Sequence, residues 1–294
     1  MSFRQRLATM APHRETVLTI GVFDGVHRGH CHLLARLIER AMPSHVPTVI
    51  TFTNHPATVL RPDFKLNYIN TPEQKVRLLH QQGIELVIPL DFTTELSQID
   101  AKEFITVVSQ TLQMKGLIIG PDFAMGKDRQ GNSEYLREMG LSLGFWVETV
   151  DSLILEGAPV RSRRVREAIG AGDVATSTQL LGRNFSLKGN VVRGDQRGRE
   201  LGFPTANINV TADIMLPGDG IYATWAIVEG KRYAAATSIG IRPTFGLTER
   251  LVEVYILDFD ADIYGTTIGV EFVKKLRGQE TFADIEALVK QIHL

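Results

Sequence analysis

Gly21-Val22-Phe23-Asp24-Gly25-Val26-His27-Arg28-Gly29-His30 is the stretch that decides the fold of the first half of the chain. Before it, Val17-Leu18-Thr19-Ile20 is a short apolar run of the kind buried in a parallel sheet. After it, Leu33, Leu34, Leu37 and Ile38 are spaced as one apolar helix face. A strand-to-helix turn is therefore predicted. In an open α/β sheet such a turn offers unpaired N–H groups and the positive end of a helix dipole, where phosphates bind. Gly21, Gly25 and Gly29 permit a sharp bend and close approach of a ligand, with Phe23 and Asp24 in the same bend, so these five are candidate phosphate-binding residues. His27 and His30, three residues apart, can face one ligand. Two imidazoles there can stabilise charge on a phosphoryl group and its leaving oxygen without acting as nucleophiles. A glycine-rich βα loop with two incidental histidines has the same appearance in sequence. A zinc pair is disfavoured, because Cys31 and His32 fall on other helix faces and no cluster of Cys or carboxylate follows at ligand spacing.

Outward from this turn, strand-like runs at Val46–Phe52, Leu86–Pro89, Leu117–Ile119 and Phe145–Val150 alternate with helical patterns at Pro72–Gln82, Ala101–Leu112 and Ser133–Leu143. That alternation predicts a doubly wound, mostly parallel sheet, whose ligands gather at the carboxyl ends of its strands. Three further loops fall there. Thr51-Phe52-Thr53-Asn54-His55-Pro56 can turn Phe52 and His55 toward a cleft, the aromatic being able to stack on a planar ring. Gly120 to Gly131 carries Asp122, Phe123, Lys127 and Arg129 between glycines, a set suited to ribose hydroxyls or phosphates. Val160-Arg161-Ser162-Arg163-Arg164-Val165-Arg166 opens a helix with Ser162 as the expected N-cap, and its arginines call for an anion.

The pattern changes after Leu180-Leu181-Gly182-Arg183, following a helical connector from Gly172 to Leu181, and the domain boundary is placed there, 1–182 and 183–294. Phe185–Val192, Tyr222–Val228, Tyr233–Ile239, Val252–Leu257 and Thr267–Phe272 are short β-prone runs between turn residues, which predicts an antiparallel barrel, with a closing helix over Thr281–Ile292. Between the first two runs, Gly194, Gly198 and Gly202 with Arg197 and Arg199 can fold over phosphates, though no Walker-type loop is present. Pro204, Thr205 and Asn207 follow, and the hydroxyl and amide oxygens of the last two suit Mg²⁺. Glu253 in Leu251–Leu257 alternates with apolar neighbours, on the face where a carboxylate can take the proton of an attacking hydroxyl or simply be solvated.

The 294 residues are 44% hydrophobic with a formal net charge of −1, enough to bury the cores of two domains. Near-neutral charge argues against general nucleic-acid binding, although nine Lys or Arg face three acids between Arg161 and Arg199. No apolar run reaches membrane-spanning length, no signal-peptide stretch is seen, and the single Cys31 fits a reducing compartment, so a cytoplasmic protein off the membrane is expected.

The His-x-Gly-His turn, the Thr-Phe…His-Pro loop, the Gly-Pro-Asp-Phe…Gly-Lys…Arg loop and the Ser…Arg-x-Arg helix start resemble the FMN adenylyltransferase module of prokaryotic FAD synthetases. Gly198-Arg199…Leu201–Asn207, Asp219–Ala223, Ile239–Phe245 and Glu253 through Phe259 are similar to riboflavin kinase. The resemblance covers nearly the whole chain. It implies a bifunctional enzyme in which ATP phosphorylates riboflavin to FMN, with ADP released, and a second ATP adenylates FMN to FAD, with pyrophosphate released, each step with Mg²⁺. It further implies that His27 and His30 hold ATP phosphates, that Ser162, Arg164 and Arg166 close on them, and that Asp122 and Phe123 line the site with Phe52 and His55. In the second half it implies that Thr205 and Asn207 bind metal and phosphates, that Glu253 is the base, and that Arg277 contacts flavin. The sequence departs from the family pattern where Arg161 and Arg163 stand in place of Ser and Thr, and where Ser238 stands in place of Asn. Two rivals follow: a riboflavin kinase whose adenylyltransferase site is weakened or lost, and a non-catalytic flavin- or nucleotide-binding regulator.

Overall fold

The computed structural model describes residues 2–194, 202–241, 250–280 and 291. Contacts divide the chain into two units, Met1–Ser162 and Arg163–Leu294. The first runs α1 (Phe3–Thr9), β1 (Thr16–Gly21), α2 (Arg28–Ala41), β2 (Val46–Phe52), α3 (Pro56–Leu60), α4 (Pro72–Gln81) and β3 (Leu86–Leu90). It continues with α5 (Thr94–Ser97), α6 (Ala101–Thr111), β4 (Met114–Ile119), α7 (Ser133–Leu143), β5 (Trp146–Thr149) and a small hairpin of β6 (Ile154–Leu155) and β7 (Ala158–Pro159). Helix α8 (Ser162–Gly170) begins at the last residue of this unit and runs on into the second.

Among the described residues the parallel sheet has the order β3-β2-β1-β4-β5. Strand order reverses at β1, so the position at which open α/β sheets bind ligands falls beyond the carboxyl ends of β1 and β4. Both faces are covered, which is why the strands read as continuous apolar runs. On one face Leu18, Ile20, Ile50, Ile88 and Leu117 pack with Leu7 of α1, Phe104, Ile105 and Val108 of α6, and Leu136 of α7. On the other, Val17, Val49, Val87 and Ile118 pack with Leu34 and Leu37 of α2 and Leu79 of α4. Leu34 and Leu37 are fully buried, so cutting either back to Ala removes about 2–5 kcal/mol from the helix that presents the histidines.

The second unit continues α8 with α9 (Val174–Leu181), which starts on an Asp173 cap and stops at Gly182, φ +74°. Six strands then close into an antiparallel barrel among the described residues: β8 (Ser186–Val192), β9 (Thr205–Asn209), β10 (Gly220–Val228), β11 (Lys231–Ile241), β12 (Arg250–Ile256) and β13 (Thr267–Arg277), ordered β10-β11-β12-β9-β8-β13. Tyr222, Ala226, Ile239, Val254, Val270 and Phe272 are fully buried. The buried hydroxyls of Thr224 and Thr237 satisfy each other at 2.8 Å. Five of these strands coincide with predicted runs, whereas β9 was not expected. The expected closing helix lies outside the described residues apart from position 291.

Candidate active site

His27 starts α2. It is the N-cap, and its Nδ1 accepts the N–H of His30 at 3.2 Å, which leaves Nε2 to carry the proton of the neutral ring. The His27 and His30 rings stack with centroids 3.6 Å apart and planes 13° apart, and Phe23 tilts against His30 at 5.0 Å. Gly25 sits at φ +87°, and a Cβ on Gly29 would lie 2.6 Å from the carbonyl oxygen of Val160. Phe23 and Val26 also take positive φ, +52° and +38°, at a cost of about 1–3 kcal/mol each. Such a turn persists only when its surroundings over-determine it.

Several bonds do so. Asp24, 3% exposed, accepts the N–H of Ile69 at 3.0 Å through Oδ1, and Ser162 Oγ donates to the Asp24 main-chain oxygen at 2.8 Å. The carbonyl oxygen of Val22 accepts from Thr51 Oγ1 and from Lys75 Nζ, each at 3.0 Å, and Lys75 Nζ also donates to the carbonyl oxygen of Phe52. Burial pushes the Lys75 ammonium down to about 8, with Asp24 pulling the other way. The expectation that Ser162 is an N-cap is corrected, since it is the first helical residue of α8 and its hydroxyl is spent on the turn.

The neighbouring loops are placed as follows. Phe52 ends β2, packs on the core and meets Phe92 edge-on at 5.5 Å. His55 caps α3, Nδ1 accepting the N–H of Ala57 at 3.1 Å, while its own main-chain N–H donates to the Tyr68 hydroxyl. Phe123 is partly buried against the sheet core. Asp122 Oδ2 pairs with Arg161 at 2.7 Å, and Arg163 pairs with Glu167 at 2.8 Å. The two arginines that depart from the family pattern therefore engage carboxylates. Arg164 and Arg166 lie on α8 in the second unit, partly buried. Sequence reasoning missed Thr51, Ile69 and Lys75. The one signal was a lysine as the fourth residue of α4, near the positive end of the helix dipole, which disfavours a cation.

On the barrel, Glu253 stands opposite Asn207 on β9 and opposite Ser238 on β11, and Tyr255 stands opposite Thr205. Val252, Val254 and Ile256 are buried while Glu253 and Tyr255 are partly exposed, so the predicted alternation holds and these residues share the outer face. Pairing continues from Ser238 to Ile221 and from Ile221 to Arg277, which puts Arg277 in the same row as Glu253 and Asn207. Gly194, Pro204, Thr205 and Asn207 line a cavity of about 300 Å³ with Phe259 and Asp262. A Cβ on Gly194 would lie 2.3 Å from Asn207 Nδ2, so the backbone closes directly on that side chain. Gly202, at φ +86°, leads into this segment, while Gly198 and Arg199 lie outside the described residues. Among the described residues no group of three or more His, Cys, Asp or Glu could hold a metal ion.

A doubly wound sheet with a histidine-bearing strand-to-helix turn, joined in one chain to a barrel with Thr, Asn and Glu on adjoining strands, is the arrangement of a two-module nucleotide-dependent transferase. Family models for FAD synthetase and riboflavin kinase match residues 9–164 and 181–294. The bifunctional riboflavin kinase/FMN adenylyltransferase of Pseudomonas fluorescens is 36% identical over 290 residues, covering 96% of this chain and 91% of that protein. The protein of the same description from Escherichia coli K12 is 33% identical over 287 residues, covering 97% and 91%. The chain belongs to the bifunctional riboflavin kinase/FMN adenylyltransferase family, and ATP is the co-substrate that membership implies. A solved structure described as a macrolide-efflux protein from Streptococcus pneumoniae superposes with a TM-score of 0.89 at 31% identity, covering 98% of this chain and 94% of that one. Efflux is the description of that protein; among the described residues here no helix is long and apolar enough to cross a membrane.

Proposed function

We propose that the barrel module phosphorylates riboflavin to FMN with release of ADP, and that the sheet module joins FMN to a second ATP with release of pyrophosphate. The observation that carries this reading is the stacked His27–His30 pair at the N-terminus of α2, at the switch point of the sheet. In the sheet module an FMN phosphate oxygen attacks the α-phosphorus of ATP, and the bond to the pyrophosphate oxygen breaks as the new bond forms. The imidazoles and the positive end of the α2 dipole stabilise the negative charge that grows on the departing group. Gly21, Gly25 and Gly29 let the backbone approach, Ser162 belongs to the phosphate side, and Phe52, His55, Asp122 and Phe123 belong to the flavin side; Arg164 and Arg166 are phosphate ligands on the family resemblance alone. Arg161 and Arg163, each paired with a carboxylate at the surface, are compatible with this chemistry.

In the barrel module Glu253 accepts the proton of the riboflavin hydroxyl as it attacks the γ-phosphorus. Thr205 and Asn207 offer hard oxygen donors beside a cavity, a set that fits Mg²⁺ completed by phosphate oxygens and water. When bound, the ion offsets phosphate charge. Gly198, Arg199, Gly202 and Pro204 border the phosphates, and Arg277 contacts flavin. The functional boundary lies between 182 and 183, a placement supported by the kinase family model beginning at residue 181. A single cysteine and a net charge of −1 support a cytoplasmic protein with small-molecule partners and neither nucleic acid nor membrane.

His27→Ala and Glu253→Ala test the two-site reading. The first should stop FAD formation and spare FMN formation, and the second should do the reverse when FMN is supplied. Mixing the two variants should restore conversion of riboflavin to FAD, and loss of both activities in either folded variant would sink the reading.

A further inference from the structure

Lys75 is a residue that the described chemistry does not use, and its position is expensive. It is 5% exposed, it is the fourth residue of α4, near the positive end of the helix dipole, and burial holds its ammonium at about 8. A cation in such a place needs strong local compensation. It finds it in two main-chain oxygens, those of Val22 and Phe52, and in the nearby Asp24 carboxylate.

Those two oxygens are not arbitrary. Val22 is the residue after β1 and Phe52 the last of β2, so one ammonium group ties together the carboxyl ends of adjacent parallel strands. Beyond Val22 the chain enters Phe23 and Val26 at positive φ and reaches His27 within five residues. The same short segment before α4 supplies Ile69, whose N–H holds the Asp24 carboxylate. Lys75 and Ile69 thus fix two consecutive parts of the turn from one side, while Thr51 and Ser162 fix it from others.

We propose that Lys75 is a positioning residue for adenylyl transfer: its buried ammonium fastens the carbonyl ends of β1 and β2 and thereby sets the turn that carries His27 and His30. The inference rests on the reading of that turn as the adenylyl-transfer site. Because misplacement of a reacting group by about 1 Å costs on the order of 100-fold in rate, a loosened turn acts on turnover more than on substrate binding.

Lys75→Met keeps length and apolar bulk and removes the donors, whereas Lys75→Gln keeps an N–H₂ group. Steady-state FAD formation from supplied FMN and ATP, FMN formation from riboflavin, and thermal unfolding would be followed on each preparation, with His27→Ala as control. The expected result is a fall of at least about tenfold in kcat for FAD formation in Lys75→Met, a smaller change in KM, a milder fall in Lys75→Gln, and unchanged FMN formation. A kcat for FAD formation within about twofold of the parent in folded Lys75→Met, whatever the melting temperature, overturns the proposal. Should Lys75→Met leave the first module unfolded, Lys75→Gln is judged by the same split between kcat and KM. If His27→Ala also retains FAD formation, the site reading fails and takes the Lys75 role with it; if only His27→Ala is inactive, the Lys75 role alone fails.

Discussion

Gly29→Ala loads the histidine-bearing turn at a tight point. The new Cβ would lie 2.6 Å from the carbonyl oxygen of Val160 and 3.1 Å from the His27 ring. The first contact is with main chain, and Val160 is buried with its own N–H bonded to the carbonyl of Leu153 at 2.9 Å, so that segment yields little. The start of α2 must therefore move away, by something approaching 1 Å, and the histidine pair moves with it. Overpacking of this kind costs about 1–3 kcal/mol of stability. A displacement near 1 Å costs roughly 100-fold in turnover, equivalent to about 2.7 kcal/mol in the barrier. The assay is FAD formation from supplied FMN and FMN formation from riboflavin, on one preparation, with a thermal melt. FAD formation should fall by roughly two orders of magnitude, while FMN formation is untouched and the melting temperature drops by a few degrees. Parent-level FAD formation in the folded variant would refute the close packing of the turn as the source of its geometry.

At the second site, Gly194→Ala should act more gently on the fold, because the atom its Cβ meets, Asn207 Nδ2, is the movable end of a side chain. FMN formation should fall and need more Mg²⁺, with FAD formation from supplied FMN and the melting curve unchanged; a Mg²⁺ titration of both activities checks this. Stability should also depend on pH through Lys75. Between about 8 and 10.5 the unfolded chain holds a proton at this residue that the folded chain has released, so stability rises with pH across that window. The full effect is on the order of 3 kcal/mol. Denaturant unfolding at both ends of the window, compared with Lys75→Met to cancel Tyr222 and other groups, should show the rise in the parent alone.

Much of this architecture was legible because the determining signals are local. Val46–Phe52 and Ser133–Leu143 match their strand and helix to the residue, one as a β-prone stretch buried up to its last residue and the other between an Asn132 cap and a left-handed Gly144. The strand-to-helix turn between β1 and α2 could be read from its glycines and the flanking apolar residues. Other features depend on contacts that sequence neighbours do not announce. Thr205–Asn209 contains one buried apolar residue, Ile208, and becomes a strand through pairing with β12 and β8. α1 escaped notice for the same reason, with Leu7 its one buried residue. Lys75 sat inside a correctly predicted helix, yet only the tertiary fold shows that its charge turns inward. Phe52 and His55 illustrate the converse, since residues suited to a ligand also suit a core edge and a helix cap.

The most direct test of two chemistries in one chain is a chromatographic time course of the purified protein with riboflavin, ATP and Mg²⁺. The account predicts that FMN rises first and then gives way to FAD, with ADP and pyrophosphate appearing in turn. FMN accumulating without FAD would contradict an active histidine turn and make Arg161 and Arg163 the first residues to revert, and the absence of any product would contradict both sites.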